Sequence, residues 1–374
     1  MDKKNIAEIR RQFSMNCCTA TKICGCYVDH EKNKKFESKS SFLMLPEEEE
    51  FKYFDIFKHT LSGSLGRNLI NFEFPLQQES EGGTQEFLYK LLKCGLDDEE
   101  LVSQFYDRII DNYEYAENYY IVLAYFVYDV PMRTSDNNLL EDASDEVYSY
   151  ILCSICPVKM TKAGLSYNQE NNRMEERTRD WVVEMPLTGF LFPAFNDRST
   201  DLHSMLYYKK KPEENQEKLV KNVFGSVEPM SPKTQQNTFN ELLEAVMGDG
   251  VDYKTAAAVY ENISLAVEEN TADSETVSFS QKEVQKILEA SGVPNEKISS
   301  FGDCYHEIVG EDMTLQANNM TNLKKFVAKT PHVHIQVDAE YAGQLQEKIV
   351  DGQRCLVVPI EDYLEINDLV VKIQ

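Results

Sequence analysis

Between two apolar runs, FLFPAF and MLYY, the chain carries NDRSTDLH at residues 196–203. Asp197, Arg198, Asp201 and His203 are side chains that can do chemistry. Carboxylates beside an imidazole move protons or hold a metal, and a guanidinium grips anions through parallel N–H groups. Just upstream, Arg179 and Asp180 lead into Trp181, the single Trp of the chain. If the strand carrying Trp181 lies beside GFLFPAF, Arg179 and Arg198 converge and clasp an anionic group bidentately. A plainer reading competes. Asn, Asp, Ser and Thr form turns by bonding their own backbone. A hairpin between GFLFPAF and SMLYYKK then accounts for most of the polarity, with Asp201 neutralising Arg198. The candidate ligand-binding set is Arg179, Asp180, Trp181, Asn196, Asp197, Arg198, Asp201 and His203, and the choice between the readings is geometric.

The remaining motifs are weaker. Cys153 and Cys156 have the spacing of a redox or zinc pair, but they sit inside a β-like apolar run that turns them to opposite faces. Cys17, Cys18, Cys24 and Cys26 lack zinc-knuckle spacing, and core packing is their default. His332 and His334 share a strand face, whereas Cys304 and His306 point apart if their segment is helical. SGSLGRN, residues 62–68, precedes a strand and lacks the Lys of a phosphate loop, so it reads as a helix stop. There is no His-Glu-x-x-His and no Gly-x-Ser-x-Gly. No cofactor and no metal site is expected.

Charge narrows the partners. Lys plus Arg is 38 against 63 for Asp plus Glu, a net charge of −25. The only basic run is Lys209–Lys211, so general nucleic-acid binding and an anionic membrane surface are both disfavoured. The longest uncharged apolar stretch, YYIVLAYFVY, is half the length of a spanning helix. The first residues lack the apolar core of a secretory signal. Nine scattered Cys fit reduced thiols in a cytoplasmic protein.

The elements that must position the candidate residues follow from pattern. CTATKICGCYVD and FESKSSFLML predict a hairpin, and a helix opens with Pro46 as its first residue and runs to about Leu61. RNLINFEFP predicts a strand. Two helices come next, one over Gln85 to about Lys93 and one opened by an Asp97–Glu100 capping box. YYIVLAYFVY, VYSYILCSICPV, RDWVVEM, GFLFPAF and HSMLYYKK are strands of a mostly antiparallel sheet. The second of these is apolar on both faces, which places it centrally with a helix layer over one side. Residues 1–210 therefore form an α+β main domain. Residues 211–275 read as a helical segment, with Asp252 capping its third helix and TADSET as a linker. Residues 276–374 form a small α+β module. It opens with a Ser280–Glu283 capping box and a Phe279–Val284 staple, has strands beyond Pro331, and carries an Asp-Gly hairpin at 351–352.

RRQFSMNCCTATKICGCYVD near the start, NFEFP at 71–75, YDVPMRTSD at 128–136, YILCSICPV at 150–158 and RDWVVEMPLTGFLFPAFNDRSTDLHSMLYY at 179–208 resemble the bacterial domain-of-unknown-function 4317 family across essentially the whole chain. The resemblance implies a bacterial cytoplasmic protein and supplies no reaction or catalytic residues. Two functions are therefore carried forward. One is a binding or regulatory protein that recognises a protein partner or a small anionic ligand through the 196–203 loop. The alternative is a small-substrate hydrolase or phosphate-handling enzyme, with Asp197, Asp201 or His203 as base or metal ligands and Arg179 and Arg198 as anion clamps.

Overall fold

The computed structural model describes residues 1–133, 139–248, 250–270, 277–310, 313–360, 364–366 and 369–371, giving the backbone alone for 133, 139–145 and 270. The chain divides into two compact units, Met1–Ser231 and Pro232–Gln374. Both are mixed α and β, and their strands pair antiparallel, so the fold is α+β as expected.

In the first unit the helices are α1 (Lys3–Arg11), α2 (Glu47–Thr60), α3 (Thr84–Lys93), α4 (Glu99–Asn112) and α5 (Glu217–Val223). The strands are β1 (Ala20–Val28), β2 (Lys34–Ser41), β3 (Leu69–Glu73), β4 (Tyr119–Arg133), β5 (Leu139–Met160), β6 (Leu165–Asn168), β7 (Arg173–Glu176), β8 (Trp181–Val183), β9 (Thr188–Phe192), β10 (Ala194–Asn196), β11 (Ser199–Asp201) and β12 (Ser204–Lys209). The main sheet runs β2-β1-β4-β5-β9-β12-β3, with β8 also on β5. β5 is central because its residues are apolar on both sides. Ile151, Cys153 and Ile155 enter one core with Leu88 and Leu91 of α3, Phe105 and Ile109 of α4, and Leu219, Val220 and Val223 of α5. Tyr148, Tyr150, Leu152 and Cys156 enter a second core with Ile9 of α1 and Phe54 and Phe57 of α2. Helices thus cover both faces, where one layer was expected. An added Cβ on Gly189 would lie 2.3 Å from the Cys153 carbonyl oxygen, so glycine lets β9 close against β5.

The helix starts follow local chemistry with small shifts. Pro46 is the N-cap of α2 rather than its first residue, and Glu47–Glu50 fill the first turn at the positive end of the dipole. α4 is capped by Asp98, whose carboxylate accepts from the Leu101 amide at 3.0 Å. Asp97, expected as the cap, instead pairs with Lys22 of β1. An ammonium across the chain takes one aspartate and leaves its neighbour to the helix.

The second unit comprises α6 (Pro232–Met247), α7 (Tyr253–Asn270), β13 (Ser278–Phe279), α8 (Gln281–Ala290), α9 (Asn295–Ile298), α10 (Phe301–Ile308), β14 (Leu315–Gln316) and α11 (Ala317–Met320). Three hairpins follow: β15 (Lys325–Lys329) with β16 (His334–Asp338), β17 (Gln346–Val350) with β18 (Gln353–Val357), and β19 (Leu364–Ile366) with β20 (Leu369–Val371). Asp252 accepts from the Thr255 amide at 2.9 Å, and Ser280 with Glu283 forms the expected box. Asp351 and Gly352 have φ of 50° and 77°, as an Asp-Gly hairpin turn requires. β15 is an addition, lying before Pro331. The expected TADSET linker, 271–276, lies outside the described residues.

Candidate functional site

GFLFPAF and SMLYYKK do pair, with Leu191 opposite Leu206 and Phe190 opposite Tyr207. Between β9 and β12 the chain makes a smaller hairpin. Ala194 faces Asp201 and Asn196 faces Ser199 across β10 and β11. Asp197 and Arg198 form its two-residue loop at φ of 48° and 60°, the left-handed pair of a type I′ turn. The backbone of NDRS is therefore a turn.

Arg198 turns inward from it. Arg198 Nη2 donates to Glu8 Oε1 at 3.0 Å and to the Pro131 carbonyl at 2.8 Å, and Tyr128 donates to the same Glu8 oxygen at 3.0 Å. The Arg198 and Glu8 side chains are only 16% and 14% exposed. Burial, then the Glu8 charge, push the Tyr128 phenol up to about 12. Arg198 is thus neutralised by α1, not by Asp201 as expected. Asp201 accepts from Asn196 Nδ2 at 2.6 Å and from the His203 amide at 3.0 Å. Burial pushes its carboxyl up, but hydrogen bonds from Ser204, Asn196 and the His203 amide together hold it below the usual range. The Thr200 amide donates to Glu146 of β5 at 3.0 Å. His203 points away, Nδ1 lying 2.7 Å from Glu79 Oε1, and Asp197 is exposed. Among the described residues no group of three His, Cys, Asp or Glu could hold a metal ion.

Arg179, Asp180 and Trp181 lie elsewhere. β8 pairs the far end of β5, Trp181 opposite Met160 and Val183 opposite Val158. The 196–203 hairpin abuts Glu146, so roughly 45 Å of strand separates the two sets at about 3.3 Å per residue. The expected convergence of Arg179 and Arg198 does not occur. β8 lies on the edge of β5 beyond the end of β9, because β9 fills only Ile151–Ile155.

What surrounds Trp181 was not read from the sequence. Residues 157–168 and 173–184 form one antiparallel β-ribbon. The β5–β8 pairs lead through Thr161 N to Asp180 O at 2.9 Å and Arg177 N to Gly164 O at 2.9 Å into the β6–β7 pairs with the partners still in step, but residues 161 and 164 both point to the opposite strand, so the side-chain alternation starts afresh in each half. Among the described residues β7 and β8 each pair on one side only. Period-two alternation sorts the side chains by face. In the β5–β8 half Met160, Trp181 and Val183 share one face and Lys159, Asp180, Val182 and Glu184 the other. In the β6–β7 half Leu165, Tyr167, Met174 and Glu176 share one face and Arg173, Glu175 and Arg177 the other. Leu165 is 72% exposed and Trp181 53%. Arg173 pairs with Glu175 on its own face. Lys162, Arg177 and Arg179 are exposed and, among the described residues, in no ion pair. Asp180 and Trp181 thus turn to opposite sides of the ribbon.

The other motifs are packing groups. Cys24, Cys26, Cys153 and Cys156 are buried free thiols, and burial pushes Cys24 up to about 11 and Cys26 up to about 12. His334 begins an exposed strand and His332 lies before it. Lys209 of the basic run is buried against Glu228 at 2.9 Å, beside a cleft of about 60 Å³ that also meets Tyr113, Tyr115 and Lys210.

A family model described as Domain of unknown function (DUF4317) matches residues 1–369. No curated protein and no solved structure matches the chain.

Proposed function

The chain belongs to the DUF4317 family, and from its own geometry we propose that it is a binding protein that recognises an acidic polypeptide surface through the Trp181 face of the β-ribbon. One observation carries this reading: Trp181, Met160 and Val183 stand exposed on one face of the β5–β8 pair, and the ribbon that continues from it carries Lys162, Arg177 and Arg179, which are exposed and, among the described residues, in no ion pair. Trp, Met and Arg are the residues that protein interfaces favour. A two-stranded ribbon is marginal alone in water, so a partner that covers its apolar side chains gives it a reason to persist. The hydrolase alternative has less support, since Arg198 and Asp201 are occupied by Glu8, Asn196 and the His203 amide. Buried thiols and the family resemblance support a bacterial cytoplasmic setting. No described helix is long and apolar enough to cross a membrane.

Photo-crosslinking in cells tests the proposal. A benzophenone amino acid at Val183 is expected to give a discrete protein adduct. Trp181→Ala should weaken it roughly tenfold or more, as loss of an interface Trp does. No adduct from Val183, with an adduct from the same group at Asp197, would move recognition to the 196–203 turn.

A further inference from the structure

Apart from the ribbon, we infer that the cleft beside Lys209 binds the carboxylate of a small organic acid. The cleft lies between the loop after α4, the start of β9 and the end of β12, and Tyr113, Thr188, Tyr207, Lys209 and Lys211 line it. Its volume of about 60 Å³ exceeds the roughly 30 Å³ that one water takes in the liquid. A carboxylate group with a carbon or two fits.

Hydrogen bonding sets the sign of the ligand. The carboxylates around the cleft are occupied. Glu228 accepts from Lys209 Nζ at 2.9 Å and from the Gln216 amide at 2.7 Å, Glu114 pairs with Lys218, and Glu214 pairs with Lys211. Donors are left over. An ammonium carries three N–H groups, and Lys209 uses two of them, on Glu228 and on Asn215 Oδ1 at 3.0 Å. Tyr207 precedes Lys209 by two residues on the same face of β12. Its hydroxyl is buried and has no hydrogen-bond partner. Thr188 lies near that hydroxyl but gives its own proton to the Tyr208 carbonyl at 2.8 Å. Tyr113 is buried too, and its phenol makes no hydrogen bond among the described residues.

A buried donor without an acceptor is costly, and a phenylalanine ring would fill the same space without one. A carboxylate entering the cleft accepts from the Tyr207 phenol and the third Lys209 N–H together. Lys211 balances its charge. The Lys211–Glu214 pair is exposed on both sides, so little holds the ammonium there. Lys210 takes no part, since β12 turns it to the α2 side, where its charge reaches His59. One releasable cation suits a monoanion, hence a carboxylate over a phosphate dianion.

An NMR titration of the ¹⁵N-labelled full chain with sodium acetate, and separately with sodium phosphate, at constant ionic strength tests the inference. Acetate should shift the Tyr113, Thr188 and Lys211 amides with a Kd on the order of 1 mM, within what four heavy atoms sustain. Tyr207→Phe should weaken binding roughly tenfold and Lys211→Met roughly threefold. Arg177→Met, on the ribbon, should leave it unchanged. Without acetate, Tyr207→Phe should melt at or above the parent, because it removes a buried donor that has no acceptor. A lower melting temperature would show the hydroxyl already partnered and overturn the inference. Phosphate binding without acetate overturns it as well, as does equal acetate binding by parent and Tyr207→Phe. So does the absence of a saturable shift at those amides by about 20 mM acetate, some twenty times the expected Kd. None of these outcomes bears on the Val183 crosslink, so the ribbon stands or falls separately.

Discussion

His203 holds its ring 72% exposed with Nδ1 2.7 Å from Glu79. The hydrogen bond to Glu79, then its charge, raise the imidazole above its ordinary 6.5. A raised folded value means that the pair's contribution to stability is complete below about pH 6.5 and is lost as pH rises through the folded value. An NMR titration should place the His203 midpoint above 6.5, and Glu79→Gln should return it there; an unchanged midpoint in the variant would sink the assignment. The chemistry-bearing residues of this stretch could be read from sequence, but their partners could not. Glu8 lies 190 residues from Arg198, and Glu79 lies 124 from His203. No local spacing encodes such pairs. Asp201 was the nearest carboxylate in sequence with room to fold back, which is why it looked like the counter-ion.

Among the elements, the turn at Asp197 and Arg198 separates two costs in one side chain. Arg198 has φ of 60°, where a Cβ costs about 1 kcal/mol, and it also holds Glu8 and the Pro131 carbonyl. Arg198→Ala removes the bonds and keeps the strained Cβ, for an expected loss of about 2–3 kcal/mol as befits charged, poorly exposed hydrogen bonds. Arg198→Gly removes both and should be more stable than the Ala variant by about 1 kcal/mol in urea unfolding. Equal values would mean that the turn is not held in this conformation. Strands with long apolar runs, such as YYIVLAYFVY and SMLYYKK, were legible. β6 and β7 were not, because LSYN and RMEE alternate over only four residues each and their apolar side chains face water. The signal available was the opposition of Leu165 and Tyr167 to Met174 and Glu176 across Asn171 and Asn172. Similarly, the two-sided apolar pattern of β5 marked it as central, but helices on both faces required knowing that α1 and α2 pack opposite α3, α4 and α5.

At the scale of the whole molecule, the two units carry their own buried residues. Both cores of the sheet draw only on Met1–Ser231. A fragment of residues 1–231 should therefore unfold cooperatively in urea and keep the Arg198→Ala loss; a broad, non-cooperative transition would show that the sheet depends on residues beyond 231. Composition located the change of pattern after Lys211 but could not show that α5 returns its apolar side to the sheet. β5 has a mechanical consequence. It is paired with β4 from Tyr119–Pro157 to Arg133–Leu139, and it continues without interruption into the strand that carries the ribbon. A tug along the ribbon is a tug along β5, and the β4–β5 bonds lie across that axis. They bear the load side by side, as rivets do in shear, instead of opening one at a time like a zip. Pulled along the ribbon, the first unit should therefore hold rather than unravel.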